Sequence, residues 1–234
     1  MKITFLTLFP EMFVGPFEQS IIKRAQEKNI VEIASVNIRD FGIGTHKMVD
    51  DTPYGGGVGM VLKVDVLHKA IEHAKKTFHE EAKNKTLKQL VVLTSASGKT
   101  FTQQIAKEYS KLDHLIIICG HYEGVDERIS KYIDEEISIG DYVLTGGEIP
   151  AMVITDSVVR LLKGAITKGA TEDESFSGQT QLLEYPHYTK PRSYEEQEVP
   201  EVLLNGNHQK IAQWRQQQAL EKTKRVRPEL LKKE

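Results

Sequence analysis

The chain has 234 residues, 31 basic against 33 acidic, and 39% of it is hydrophobic. This is enough apolar material to bury a sizeable core in one large domain, or in one domain with a small appendage, and it excludes disorder for the bulk of the chain. No apolar run approaches the roughly 18 residues of a membrane span, and the single cysteine, Cys119, excludes an internal disulfide or a multi-cysteine zinc site.

In chain order, Ile3 to Leu8 is a short apolar run behind one basic residue and ahead of Pro10. It reads as a strand rather than a signal peptide, so a cytoplasmic protein is expected. Ser20 to Lys28 has helical spacing and stops at Asn29, and Val31 to Ile38 reads as the next strand. Val64, Leu67, Ile71, Ala74 and Phe78 define one face of a helix that Asp65 can cap. Leu90 to Thr94 and Leu115 to Cys119 are strands, and Phe101, Ile105, Tyr109 and Leu112 mark a helix between them. Strands that are apolar without alternation imply a sheet covered on both faces, so the fold class expected is α/β with a mostly parallel sheet.

Ile149 to Leu162 is apolar nearly all round, carries Pro150 near its first turn, and places Asp156 and Arg160 four residues apart. Such a helix is expected at a buried interface. From about residue 164 to 180 no period is visible, which suggests a linker or mobile loop. Asn207 can then cap a long polar helix towards Val226, anchored by Ile211, Ala212, Trp214, Ala219 and Leu220, with Pro228 after it. The charge is uneven here. Glu172 to Glu201 holds eight acidic residues against two basic ones, whereas Asn207 to Glu234 holds eight basic against three acidic. The second stretch attracts polyanions; by charge alone a solvated helix face is the favoured reading over nucleic-acid binding.

Glycine lets backbone approach a ligand, so glycine-rich segments are the places to search. Ser97-Gly98-Lys99-Thr100 imitates the end of a phosphate-binding loop, but the earlier glycine that loop needs is Leu93, and an NTPase is excluded. Thr94 to Gly98 is left as a strand-to-helix turn of small residues. Tyr54-Gly55-Gly56-Gly57-Val58-Gly59-Met60 lacks dinucleotide spacing, yet after Asp50 and Asp51 it suits wrapping a planar group. Cys119 to Arg128 (CGHYEGVDER) follows a buried strand, and Ser138 to Glu148 (SIGDYVLTGGE) interleaves apolar side chains with glycines. Three glycine-bearing loops at successive strand ends form a stronger pattern than any one of them.

These segments, with Leu8-Phe9-Pro10-Glu11-Met12-Phe13, Pro186-His187-Tyr188-Thr189, Asn205-Gly206-Asn207-His208 and Trp214-Arg215, occur in an order that resembles the bacterial tRNA (guanine-N1-)-methyltransferase family over nearly the whole chain. The resemblance implies a SPOUT-class domain over residues 1–163 whose carboxyl half is threaded into a trefoil knot, an interdomain loop over 164–180, and a small all-α, tRNA-gripping domain over 181–234. It also implies a cytoplasmic homodimer with the active site between subunits, S-adenosylmethionine as cofactor, and possible Mg²⁺ assistance.

Carried onto this chain, the resemblance assigns the cofactor to Leu93, Thr94 and Ser95, to Gly120, Tyr122 and Glu123, and to Ile139, Gly140, Asp141, Tyr142, Val143, Leu144 and Gly146. It assigns Arg160 to guanine O6. The proton-abstracting base falls to Glu174, with Asp173 as the other candidate, because the family's Asp-Ser-Phe stands here as Glu174-Ser175-Phe176. Tyr54 and its glycine loop are candidates for holding the guanine, and Lys222, Lys224, Arg225 and Arg227 for taking phosphates. Two readings compete: a SPOUT relative that methylates another RNA group such as a ribose hydroxyl, and an RNA-binding protein that keeps the pocket without turnover.

Overall fold

The computed structural model describes residues 1–81, 87–167, 169–177 and 181–231. Gly178, Gln179 and Thr180 of the expected linker and Lys232 and Lys233 of the basic tail lie outside the described residues. The chain divides into two compact units, Met1–Ile166 and Thr167–Glu234.

The first unit is built on strands β1 (Lys2–Thr7), β2 (Glu32–Asn37), β3 (Asp50–Asp51), β4 (Val61–Leu62), β5 (Gln89–Thr100), β6 (His114–Cys119) and β7 (Glu135–Ser138) and on helices α1 (Ser20–Glu27), α2 (Val64–Glu81), α3 (Gln103–Tyr109) and α4 (Glu148–Val159). Five strands form one sheet in the order β2-β1-β6-β5-β7, every neighbouring pair parallel. β3 and β4 form a separate antiparallel pair.

All six residues of β1 and all six of β6 are buried. Their side chains alternate between two cores, as a strand's period of two requires. Ile3, Phe5, Leu115, Ile117 and Cys119 pack on one face with Ala25 of α1, Ile105 of α3 and Ile154 and Val158 of α4. Leu6, Ile116 and Ile118 pack on the other with Val66, Leu67, Ala70 and Ile71 of α2. Each fully buried Leu or Ile stabilises the fold by about 1.5–3 kcal/mol. The absence of alternation in β6 therefore reflects a strand covered on both sides.

At the amino ends of the strands, Lys2 is 7% exposed and its ammonium sits 2.9 Å from Glu32 and 2.6 Å from Glu81. His114 is fully buried beside it. Gln89 Nε2 donates to His114 Nδ1 at 2.7 Å, so Nε2 carries the ring proton and donates to Thr4 Oγ1 at 2.8 Å. Burial, aided by the nearby Lys2 charge, pushes the His114 pKa down from 6.5 to about 3. A depressed base holds fewer protons folded than unfolded. Its stabilising contribution is present above pH 6.5 and is lost as the pH falls from there towards 3. In urea titrations, unfolding free energy is expected to decline below pH 6.5 with a His114 component of at most about 1.4 kcal/mol per pH unit. His114→Gln removes that component of the slope; an unchanged slope contradicts the assignment.

Two local features differ from the sequence reading. Thr94 to Gly98 is not a turn into a helix: β5 continues to Thr100, and its register against β7 shifts between Thr94 and Lys99, so Ser95 to Gly98 bulge from the ladder. Glycine permits this at position 98, where a Cβ would stand 2.5 Å from the Ile137 backbone N. β7 itself carries no long apolar run, which hid it in the sequence.

The second unit contains β8 (Ser193–Tyr194), β9 (Gln197–Glu198) and helix α5 (His208–Val226). The expectation of helices alone there misses the short β8–β9 antiparallel ladder, whose two-residue strands are too brief to show a period. Asn207 caps α5 through its side chain, accepting from the Lys210 N–H at 3.1 Å. The fully buried Thr223 Oγ1 donates to the Ala219 carbonyl at 2.7 Å and accepts from the Leu183 N–H at 2.9 Å, tying the start of the unit to the helix.

Candidate functional site

A cavity of about 430 Å³ lies where the bulge of β5 meets the loops that follow β6 and β7. Leu93, Thr94 and Ser95 line it from β5, Gly120, Tyr122 and Glu123 from the loop after β6, and Ile139, Gly140, Tyr142, Val143, Leu144 and Gly146 from the loop after β7. Twelve of the thirteen residues assigned to the cofactor thus share one cavity. Asp141 does not line it and is exposed. The reason is local. Gly140 takes φ +152° and the Tyr142 ring folds back over it, within 2.5 Å of where a Cβ would stand, so the intervening side chain turns outward. Ser138 Oγ anchors the bend by donating to the Gly140 carbonyl at 3.0 Å.

The loops after β6 and β7 are joined through their backbones. The Gly147 N–H donates to the Gly120 carbonyl at 2.7 Å, and His121 bridges to Gly146. Thr94 Oγ1 donates to the Ile118 carbonyl at 3.0 Å beneath this junction. Tyr122 adopts φ +60°, a left-handed conformation costly for a residue with a Cβ and found disproportionately at functional sites. Burial raises the Tyr122 pKa, and a hydrogen bond to Asp50 adds to this, opposed by Arg39.

The glycine loop reaches the same region. The Glu123 N–H donates to the Met60 carbonyl at 3.1 Å, and Leu62 exchanges bonds with Gly124 and Asp126 at 3.0 and 2.9 Å. A Cβ on Gly59 would stand 2.4 Å from Glu123 Cγ, so the loop lies directly on that side chain. Its tip is open: Tyr54 and Val58 are 101% and 93% exposed. Nearby, the Arg128 guanidinium grips Asp126 with two nitrogens and holds its carboxyl down at about 2.

Sequence reasoning missed Ile129, Ile133, Glu136 and Pro150 on the cavity wall. Glu136 accepts from Ser97 Oγ at 3.0 Å and so buttresses the β5 bulge. No glycine or spacing signal marks it; only pairing of β7 with the bulge reveals it.

The residues expected to act on the substrate fall in different units. Arg160 is the C-cap of α4 in the first. Asp173 and Glu174 belong to the second, Asp173 exposed and Glu174 half-buried. The segment carrying Glu174 is held within its unit: the Ser177 N–H donates to the Glu174 carbonyl at 3.0 Å, the Phe176 N–H to Leu182 at 3.0 Å, and the Glu184 N–H to Ser175 Oγ at 2.9 Å.

In the second unit, Arg215 lies 4.7 Å over the Tyr185 ring, and Trp214 and Tyr188 are 6.3 Å apart. Two of the four expected phosphate ligands are engaged internally. Lys222 donates to the Glu184 carbonyl at 3.0 Å, and Arg227 pairs with Glu229 and sits over Phe176. Lys224 and Arg225 are exposed. Among the described residues no cluster of three or more His, Cys, Asp or Glu side chains could hold a metal ion.

The family described as tRNA (Guanine-1)-methyltransferase TrmD matches residues 1–233. Curated proteins named tRNA (guanine-N(1)-)-methyltransferase are similar over the full chain. That of Desulforamulus reducens is 52% identical, covering 99% of this chain and 89% of the relative. Those of Dictyoglomus turgidum and Carboxydothermus hydrogenoformans are 53% and 54% identical, covering 100% and 99% of this chain and 91% and 88% of the relatives.

Proposed function

We propose that this chain, which belongs to the tRNA (guanine-1)-methyltransferase family, transfers a methyl group from S-adenosylmethionine to N1 of the guanine immediately 3′ to the anticodon in tRNA. The observation that carries this reading is the convergence of the β5 bulge and the two glycine-bearing loops after β6 and β7 on one cavity. Its size lies within the roughly 300–1,000 Å³ of small-ligand sites, and its loops offer apolar contact with backbone donors and acceptors, which suits an adenine edge. S-adenosylmethionine, when bound, supplies an electrophilic methyl group on a sulfonium.

The chain's residues must then prepare the nucleophile. Neutral guanine carries a proton on N1, so the lone pair is available only once a base removes it and negative charge builds on O6. Glu174 takes that proton. The Arg160 guanidinium holds O6 and stabilises the anion, a charge-assisted contact that strengthens as the charge develops. The two residues meet over one guanine in a homodimer whose active site lies between subunits. Support for pairing comes from α4, where the apolar Ile149 and Val153 stay 48% and 42% exposed although most of the helix is buried. No step is assigned to Mg²⁺, since the described residues offer no ligand cluster for it.

A trefoil knot in the second half of the first unit is supported by the backbone pairing of Gly146 and Gly147 with His121 and Gly120, which lays the 139–147 segment against the 120–122 loop. A cytoplasmic location follows from the tRNA substrate, and no helix among the described residues is long and apolar enough to cross a membrane. The guanine leaves its stack to be reached, and Tyr54 and the glycine loop, whose tip is exposed, are the candidates for receiving it. The second unit grips the anticodon arm. Lys224 and Arg225 take phosphates there, so tRNA affinity falls steeply with salt. Changing both to Ala is expected to reduce the slope of log Kd against log salt concentration by about 1 to 2; an unaltered slope would remove them from the interface.

The deciding experiment incubates the protein with labelled S-adenosylmethionine and unmodified tRNA bearing guanine next to the anticodon. Label on base N1 is expected. Label on the sugar, or none, overturns the proposal.

A further inference from the structure

Glu148 is the only carboxylate buried among the described residues, at 1% exposure. It stands in the first turn of the twelve-residue helix α4, where the helix dipole favours negative charge. Its Oε1 accepts a hydrogen bond from Thr7 Oγ1 at 2.8 Å, and the Thr7 oxygen accepts in turn from the Phe9 N–H at 2.9 Å. Its Oε2 lies behind Gly146, 2.5 Å from where a Cβ on that glycine would stand. His121 Nδ1 is 2.7 Å from the same point, so the two atoms are within about 5 Å of each other. That nitrogen is buried and has no hydrogen-bond partner among the described residues. Nor, among them, does a basic side chain lie within ion-pair distance of Glu148.

A buried anion without a counter-cation is costly. This one sits beneath Gly146, and Gly146 and His121 both line the cofactor cavity. Its field extends past its own hydrogen bond: the Cys119 thiol at the end of β6 has its pKa raised by burial and further by the Glu148 charge. In the proposed reaction donor and product share the amino-acid ammonium and carboxylate, and the donor alone adds a positive charge at sulfur. Transfer breaks the S–CH3 bond, whose electron pair stays on sulfur, and forms the N1–CH3 bond, while the N1 proton goes to the base. Sulfur thereby changes from cation to neutral thioether.

We infer that Glu148 is a specificity-determining residue whose charge, acting through the Gly146 floor, makes the cavity hold the sulfonium donor more tightly than the neutral thioether product. The inference rests on the methyltransferase reading and deepens it. The charge favours exchange of spent product for fresh donor. It does not touch the reacting atoms, and its work is done in binding.

Calorimetry on the full chain tests this with S-adenosylmethionine and S-adenosylhomocysteine as probes. Glu148→Gln keeps the shape and can still accept from Thr7. The ratio of the two dissociation constants is expected to shift against the donor by about tenfold, while product affinity stays within about twofold. An unchanged ratio overturns the inference, and so does an equal loss for both ligands, which marks a purely structural role. If Glu148→Gln does not fold by circular dichroism, Thr7→Val is measured instead. It removes the hydroxyl that holds the carboxylate in place, and the ratio must shift in the same direction; no shift overturns the inference. A wild-type chain that binds neither ligand overturns the underlying methyltransferase reading as well.

Discussion

Replacing Glu174 by Gln is expected to lower methyl transfer to guanine N1 by about 100- to 10,000-fold, the range associated with losing a positioned general base, while tRNA affinity stays within about twofold. The substitution keeps the side chain's size and removes its negative charge and its ability to take a proton. The turn that carries it is held by bonds that do not involve that carboxylate, from Ser177 to the Glu174 carbonyl, from Phe176 to Leu182 and from Glu184 to Ser175 Oγ. A folding defect is therefore not the expected cause of the loss. Asp173→Asn, one residue earlier and exposed, is expected to change the rate by less than about threefold, because a solvated surface carboxylate makes no defined contact to lose. Single-turnover measurement with tRNA in excess separates chemistry from binding. Full turnover in Glu174→Gln would sink the assignment, and a loss confined to Asp173→Asn would transfer the role.

The two halves of the proposed site differed in legibility, for physical reasons. The cofactor loops were visible because close backbone approach demands glycine, and glycine stands out in sequence: Gly140 at φ +152° and Gly147 against Thr94 and Gly120 are positions where a Cβ has no room. Where a wall is made by ordinary side chains the signal disappears. Glu136 sits on a four-residue edge strand, and nothing in its spacing distinguishes it from a solvated acid. Asp141 shows the converse. It lies inside the most informative motif yet points away from the cavity, since a sharp bend at Gly140 reverses the side-chain alternation that sequence position alone suggests. Small residues and glycine usually end a strand, so Thr94 to Gly98 reads as a turn; in the fold they form a bulge, and β7 pairs with β5 again at Lys99. The basic tail was legible as charge, but only the fold shows that Lys222 and Arg227 are engaged within their own unit while Lys224 and Arg225 face solvent.

Gly147→Ala is expected to abolish cofactor binding, weakening the affinity for S-adenosylmethionine by at least about 100-fold, the scale on which small misplacements act. Gly147 has an ordinary helical backbone and precedes α4, so alanine is conformationally acceptable there. The obstacle is space. The added Cβ would stand 2.1 Å from Thr94 Oγ1, 2.6 Å from the Gly120 backbone N and 2.7 Å from Cys119 Cα. Two of these neighbours are backbone at the end of the fully buried strand β6, which cannot move aside without disturbing its pairing with β1 and β5. The cheaper response is for the 146–147 segment to lift, breaking the 2.7 Å bond to the Gly120 carbonyl that joins two of the three cofactor loops. Overpacking of this kind costs about 1–3 kcal/mol of stability, so the variant is expected to fold, with a lowered melting temperature and an opened cavity. Adding Thr94→Ser to Gly147→Ala leaves the hydroxyl in place, and adding Thr94→Ala relieves only the first contact, so neither restores binding. Recovery of affinity in the Thr94→Ala background would show that the hydroxyl alone made Gly147 necessary, and retention of affinity in Gly147→Ala itself would show that the cofactor does not depend on the closed junction between the β6 and β7 loops.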